Sequence, residues 1–364
     1  MSWYPGAENE KRVPLEALRT AVAQIFERCA MDPADALLLA DSLAAADLRG
    51  IHSHGVLRVP EYVDKLRSKG VNPKGRPRIV RERAAALVVD GGNSMGQIGA
   101  MFAMRAAIER ARTHGAAFAA VRGSNHCGAM FYYALEALRQ GMIGLCATNA
   151  LPTMAPWGGV DKIVGINPFA AAFPSGAEAP IVLDAAFSYS SHGKIRVFHQ
   201  KGEPIPPTWA FDKDGHPTTD AARAIEGLLQ PIGEFKGVGL AVVFGVLSSL
   251  LSGAAYGTEL GNMTDGPTAG LDGHFFLALD IAAFVEPAVF RSRVDAVVRQ
   301  IRESRRREGA GPLYAPGGME HETEARYRAE GIPLNDLTLE GLRLAAERTG
   351  AGGHANPPLF SPLF

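Results

Sequence analysis

Two histidines flank a serine at His52, Ser53 and His54, and an arginine follows at Arg58, in a stretch reading DLRGIHSHGVLR from Asp47. A guanidinium grips a carboxylate through two parallel hydrogen bonds. An imidazole beside it can give or take a proton near neutral pH. Together these groups suit an acid substrate whose neighbouring carbonyl or hydroxyl exchanges a proton. Arg58 is then the anchor, Ser53 a second substrate contact, and a histidine of the pair His52 and His54 the proton donor or acceptor. Two plainer alternatives stand beside this one. If the segment is extended, His52 and His54 share a face and could bind a metal. No HExxH motif or carboxylate cluster supplies a further ligand nearby. Otherwise the histidines simply satisfy a turn.

A second group is GSNHCG, Gly123 to Gly128, between an expected strand and an expected helix. Such junctions hold ligands in α/β proteins, which makes His126 a candidate site residue. The alternative is that Ser124 or Asn125 caps the helix and His126 is a first-turn residue. Asp184 ends an apolar strand, where a carboxylate can bind a ribose, orient a histidine or cap a helix. No GxGxxG fingerprint follows a strand, and no Walker motif is present.

The elements that must position these groups follow from periodicity. Leu15, Leu18, Val22, Ile25 and Phe26 predict a helix, and Asp32-Pro33 starts an Ala/Leu-rich one that ends at Gly50. Val59, Tyr62, Val63 and Leu66 line another. After a linker at 71–77, strands are expected at Ile79–Arg81, Ala86–Val89, Ala116–Val121, Met142–Ala147, Ile181–Asp184 and Phe275–Leu279. Helices are expected at Gln97–Arg112, Cys127–Arg139, Pro287–Arg302, Glu320–Arg328 and Thr338–Arg348. Residues 1–12 read as a polar lead-in, Leu151–Phe173 as a segment wrapping a site, and the tail from Gly350 as loosely held. Alternating strands and helices predict an α/β class. The division expected is a helical part at 1–77 packing with 300–364, and an α/β part at 78–299.

Composition bounds the function. The chain has 364 residues, 47% hydrophobic and 21% charged, with a net charge of -1, which gives no general attraction to nucleic acid or anionic membrane. The basic run Arg302–Arg307 suits a solvated helix end. Three cysteines without metal or redox spacing argue against disulfides, and the charged N-terminal stretch argues against a signal peptide, so a cytoplasmic protein is expected. Gly237–Gly257 is uncharged throughout. Its glycines, serines and unflanked ends predict a helix buried all round in a domain rather than a membrane span.

DLRGIHSHGVLR, GGNSMGQ, GSNHCG, APWGG, GINPFA, IVLDAA, HGKI, FDKDGHPTTD, KGVGL and APGG occur in an order that resembles the malate/L-lactate dehydrogenase family, over about Leu15 to Leu334. The resemblance implies a mixed-sheet, non-Rossmann nicotinamide-binding fold, which would account for the missing GxGxxG. It implies a homodimer with NAD or NADP as cofactor and a small 2-hydroxy or 2-oxo carboxylate as substrate. A cyclic imino acid is the alternative substrate on the same scaffold. By resemblance, His54 or His126 moves the proton and Arg58 holds the carboxylate. The implied cofactor contacts are Thr148, Asn149 and Ala150, then Asp184, Ala185 and Ala186, then Lys236, and finally Pro316, Gly317 and Gly318. Gly318 stands where members often carry glutamate, and Phe187–His192 departs from the more usual Thr/Ser-rich version. A rival from another class is a metal-dependent hydrolase using His52, His54 and Asp184.

Overall fold

Helix Leu15–Glu27 buries Leu18, Val22, Ile25 and Phe26 along one face, and Pro33–Leu48 packs against it. Their apolar stripes meet residues from the far end of the chain. Leu339, Leu342, Ala345 and Ala346 of helix Asp336–Thr349 belong to the same core. Strand Lys11–Val13 pairs antiparallel with Ile332–Leu334. That strand overlaps the end of the expected polar lead-in at 1–12. Three residues carry too little alternation to announce a strand whose partner lies at the opposite end of the chain. The computed structural model describes residues 10–351. The expected loose tail therefore lies almost wholly outside the described residues.

The central sheet is mixed and has seven strands. Their spatial order is Arg78–Arg83, Ala86–Asp90, Ala116–Ser124, Asp272–Leu279, Ile143–Thr148, Phe169–Phe173 and Ile181–Ala185. Only Ala86–Asp90 and Ala116–Ser124 run parallel; every other neighbouring pair is antiparallel. Helices Gly96–His114 and Phe131–Arg139 cover one face. The alanines of Ala116–Ser124 suit this arrangement, because small side chains let the helix Gly96–His114 lie close to the sheet.

Four expectations are corrected. Leu151–Phe173 contains a regular sheet strand at Phe169–Phe173, although Leu151, Thr153, Ile166 and Pro168 do line a cleft. The helix expected from Cys127 starts at Phe131. Helix His192–Lys201 has an N-cap at Ser191, whose hydroxyl accepts the Lys194 N–H at 3.2 Å, and was not anticipated. Finally, the uncharged segment is not buried all round in this chain. Helix Phe235–Ser248 buries Gly237, Ala241, Gly245 and Ser248, and presents Phe235, Leu240, Val243 and Val246 outward. Small residues at nearly every fourth position let it lie against its neighbours: a Cβ on Gly245 would come within 2.4 Å of the Asn167 amide. Uniform apolarity hid this two-sidedness, which lies in side-chain size. Among the described residues no helix is long and apolar enough to cross a membrane.

Candidate active site

The turn after helix Pro33–Leu48 is a short 3-10 segment, His52–His54, and not an extended piece. Asp47, buried in the last turn of that helix, organises it. One carboxylate oxygen meets His52 Nδ1 at 2.7 Å, and the other accepts the Val56 N–H at 2.7 Å. A Cβ on Gly55 would fall about 2.1 Å from the same carboxylate, so only glycine fits there. His52 is thereby turned to Asp47, while His54 faces a cleft.

His54 stacks on His126, with ring centroids 5.7 Å apart and planes 21° from parallel. The Ser53 hydroxyl lies 2.9 Å from His54 Nδ1. The Tyr62 hydroxyl lies 2.6 Å from His126 Nδ1 and takes a hydrogen bond from the Gln97 amide at 3.3 Å. Arg58 donates through Nε to the Ser53 carbonyl at 2.9 Å and through Nη1 to Glu61 at 2.8 Å. Both imidazoles line the cleft and are only partly exposed. That burial, then the Arg58 charge, pushes His54 down to about 3 and His126 well below its ordinary value. Both are neutral near pH 7, and in both the Nδ1 atom is engaged while no described protein group bonds Nε2.

The same cleft, about 990 Å³ of open space, is lined by Thr148, Asn149 and Ala150, and also by Thr153, His192 and Asp272. Asn149 is fixed by the Ser249 hydroxyl at 2.7 Å and the Ala255 carbonyl at 3.0 Å, and Ala150 N–H by Asn167 at 2.9 Å. Thr148 is held by His274, which spans the sheet interior from Thr148 Oγ1 to Ser124 Oγ, at 2.8 Å on each side. Lys65, fully buried, reaches the Asn262 carbonyl and Asp265, and so pins the loop that brings Gly261, Asn262 and Met263 to the cleft.

A second cleft adjoins the first and shares His54, Gly128, Ile166, Pro168 and Ser191 with it. Asp184, Ala185, Ala186, Lys194, Arg49 and Glu320 line its remainder. Asp184 accepts the Phe131 N–H at 2.8 Å, capping the helix Phe131–Arg139, and burial pushes its carboxyl up to about 6. The continuous trough suits an elongated group such as a dinucleotide. Small residues at Gly128, Ala129, Ala185 and Ala186 leave room, and the cations Lys194 and Arg49, the latter paired with Glu324, stand in the lining.

The remaining expected positions are not brought together with these. Lys236 is exposed at the start of helix Phe235–Ser248 and lines neither cleft. Pro316 accepts the Val182 N–H at 2.9 Å, Gly317 has φ +83°, and Gly318 faces a separate hollow with Tyr314 and Glu322. They lead into helix Gly318–Glu330, which sends Glu320 to the second cleft. Ser124 and Asn125 do not cap the following helix. Ser124 bonds His274, and Asn125 ties Ser94 and Gly270 together. Among the described residues no three His, Cys, Asp or Glu side chains are grouped to hold a metal. His52, His54 and Asp184 each point to a different partner.

Sequence reasoning placed Tyr62 only in a core stripe and missed His274 and Asp272. A tyrosine in a core stripe needs a partner for its hydroxyl, and a polar pair stands just before the apolar run of Phe275–Leu279. Those were the signals available.

A sequence profile of the malate/L-lactate dehydrogenase family matches residues 13–343. The chain belongs to that family. The malate dehydrogenase of Pyrococcus abyssi is 36% identical over 354 residues, which cover 95% of this chain and 97% of that one. The solved sulfolactate dehydrogenase of Methanocaldococcus jannaschii matches with a TM-score of 0.87 at 34% identity, covering 93% of this chain and 97% of its own. The Δ1-piperideine-2-carboxylate reductase of Pseudomonas syringae matches at 0.83 and 29% identity, covering 92% and 100%. These relatives are dehydrogenases and a reductase, and the chain is an oxidoreductase on the same fold. The mixed sheet is that of the solved relatives, and the absence of GxGxxG follows from it.

Proposed function

We propose that this enzyme exchanges a hydride between a nicotinamide cofactor and a small 2-hydroxy or 2-oxo carboxylate. The observation that carries this is the juxtaposition of Arg58 with two stacked, neutral imidazoles at the meeting point of two clefts. When bound along the second cleft, NAD or NADP supplies the redox chemistry. Arg58 holds the substrate carboxylate, with Ser53 supporting the turn. His126 is the favoured proton-transfer group and His54 its stacked neighbour. The Tyr62 oxygen has two lone pairs and can accept from both Gln97 and His126 Nδ1–H. In that tautomer Nε2 carries a lone pair toward the cleft. It takes the hydroxyl proton as the hydroxy acid is oxidised and returns it in the reverse direction. Burial first, and then the Arg58 charge, depresses His126; a substrate carboxylate on Arg58 offsets the second of these and so favours proton uptake by His126. Lys236, Pro316, Gly317 and Gly318 remain proposed cofactor contacts by resemblance alone.

The test is a panel of 2-oxo acids and cyclic imines with NADH and with NADPH, followed as loss of reduced-cofactor absorbance. Turnover of an oxo acid is expected, and Arg58→Ala should raise its KM by about a hundredfold, the order expected for losing a charge-assisted contact. No oxidation of either cofactor with any substrate overturns the proposal. The piperideine-2-carboxylate reductase relative motivates including the imines. We also propose a homodimer. The outward apolar side chains of helix Phe235–Ser248, continued by Leu250 and Leu251, form a surface that a second copy would cover.

A further inference from the structure

The lining of the first cleft also holds polar atoms with no protein partner among the described residues. His192 Nε2 and Thr153 Oγ1 are both buried and lack hydrogen-bond partners among the described residues. Leaving such atoms unsatisfied is costly, so a pair of them lining one cleft points to a ligand that bonds them. Their position is close to the substrate anchor. A Cβ on Gly193, next to His192, would lie 3.5 Å from Ser53 Cβ and 4.0 Å from Arg58 Nη2. A molecule whose carboxylate sits on Arg58 can therefore extend toward His192 within a few bonds.

The charge of the cleft selects what that extension is. Its ionisable lining is His54, Arg58, Glu61, His126, His192 and Asp272. Arg58 is the one arginine or lysine in it, and Glu61 already binds its Nη1. His192 is pushed down to about 4 by burial, then by Lys162 and Arg196, and so is neutral at pH 7. Those two cations stand outside the lining, where water screens them. Asp272 is pushed up to about 7 by burial, so a further anion nearby would face a carboxyl already reluctant to ionise. With Glu61 already on Nη1, one substrate carboxylate shares the Arg58 cation through its remaining N–H groups. A second carboxylate would be desolvated without a cation of its own.

We propose that His192 and Thr153 are specificity-determining residues, reading an uncharged hydrogen-bonding group, such as a carboxamide or hydroxyl, at the far end of a monocarboxylate 2-oxo or 2-hydroxy acid. This rests on the hydride-transfer function proposed above and narrows it, and it sets the enzyme apart from dicarboxylate specificity. Neutral imidazole and hydroxyl groups can each donate or accept, which matches a carboxamide at both its N–H and C=O.

Three oxo acids of one shape separate the possibilities: oxaloacetate, its monoamide 2-oxosuccinamate, and 4-methyl-2-oxopentanoate. They differ only in whether the tail is anionic, neutral polar or apolar. The monoamide is expected to exceed each of the others by about tenfold or more in kcat/KM, the order of an unmade buried hydrogen bond. In His192→Leu the ratio of monoamide to branched-chain kcat/KM should collapse, and His192→Gln, which keeps a donor and an acceptor, should preserve much of it. Thr153→Val, nearly isosteric, should lower the same ratio and serves if His192→Leu is misfolded. Preference for oxaloacetate, or a ratio unmoved in both variants, overturns the specificity proposal while leaving hydride transfer intact. Failure of all three acids, and of the wider panel, overturns the hydride-transfer function and this inference with it.

Discussion

Tyr62 shows how a core residue acquires a second task. Its ring packs in the helical core, and its hydroxyl fixes the His126 ring through Nδ1. Tyr62→Phe keeps the packing and removes the hydrogen bond. Turnover should fall by about tenfold to a hundredfold, with KM for the acid little changed, because general acid–base catalysis depends on ring orientation and basicity. The pH dependence of kcat should shift in the same variant. A Tyr62→Phe enzyme with wild-type kcat and pH profile would remove Tyr62 from the proton path. His126 itself was legible as a histidine at a strand–helix junction. Its partner was not, since Tyr62 stands 64 positions away along the chain.

At the scale of elements, the turn carrying His54 depends on Asp47. Its carboxylate bonds both His52 Nδ1 and Val56 N–H from a site with almost no solvent access. Asp47→Ala removes the acceptor of the buried Val56 N–H, at about 1–3 kcal/mol, together with the carboxylate contact of His52. The melting temperature should drop by several degrees and activity should fall with it, whereas Asp47→Asn, which retains an acceptor, should lose less. An unchanged melting temperature in Asp47→Ala would show that the turn is held by other contacts. Helix Phe235–Ser248 carries a different prediction. Val243 is 54% exposed on its outer face. If a second copy covers that face, Val243→Asp should give a species of half the mass by light scattering, with its helical circular dichroism retained. An unchanged mass, or a wild-type monomer at micromolar concentration, refutes the proposed dimer. Strong helical periodicity made Leu15–Glu27 and Gly96–His114 readable. The two-sidedness of the uncharged helix was not, because its inner and outer faces differ in size and not in polarity.

The molecule as a whole holds several titratable groups in their neutral forms. His54, His126, His192 and His274 are all depressed by burial from an ordinary value of 6.5. Below that value the unfolded chain takes up protons that the fold refuses, so their contribution to stability is lost as the pH falls. Asp184 and Asp272 act oppositely. Raised from 3.8 to about 6 and about 7, they bind protons in the fold that the unfolded chain has released, and their contribution is lost as the pH rises through that window. Four imidazoles against two carboxyls leave a net loss on acidification. The melting temperature should decline between pH 6.5 and about 4.5; a steady rise over that range would contradict this balance.

Residue order alone carried the family, the α/β class and the principal cluster. The motifs DLRGIHSHGVLR and GSNHCG are local, and local chemistry survives in a linear text. Arg58, His54 and His126 were therefore nameable before any coordinates. Contacts between distant segments had to come from folding. The pairing of Lys11–Val13 with Ile332–Leu334, the stacking of His54 on His126, and the joining of two clefts at Gly128 and Ser191 bring together residues with no shared periodicity. Burial is likewise a property of the packed whole. It is what makes the histidines neutral, confines Asp47 to the turn, and leaves His192 Nε2 and Thr153 Oγ1 without hydrogen-bond partners among the described residues.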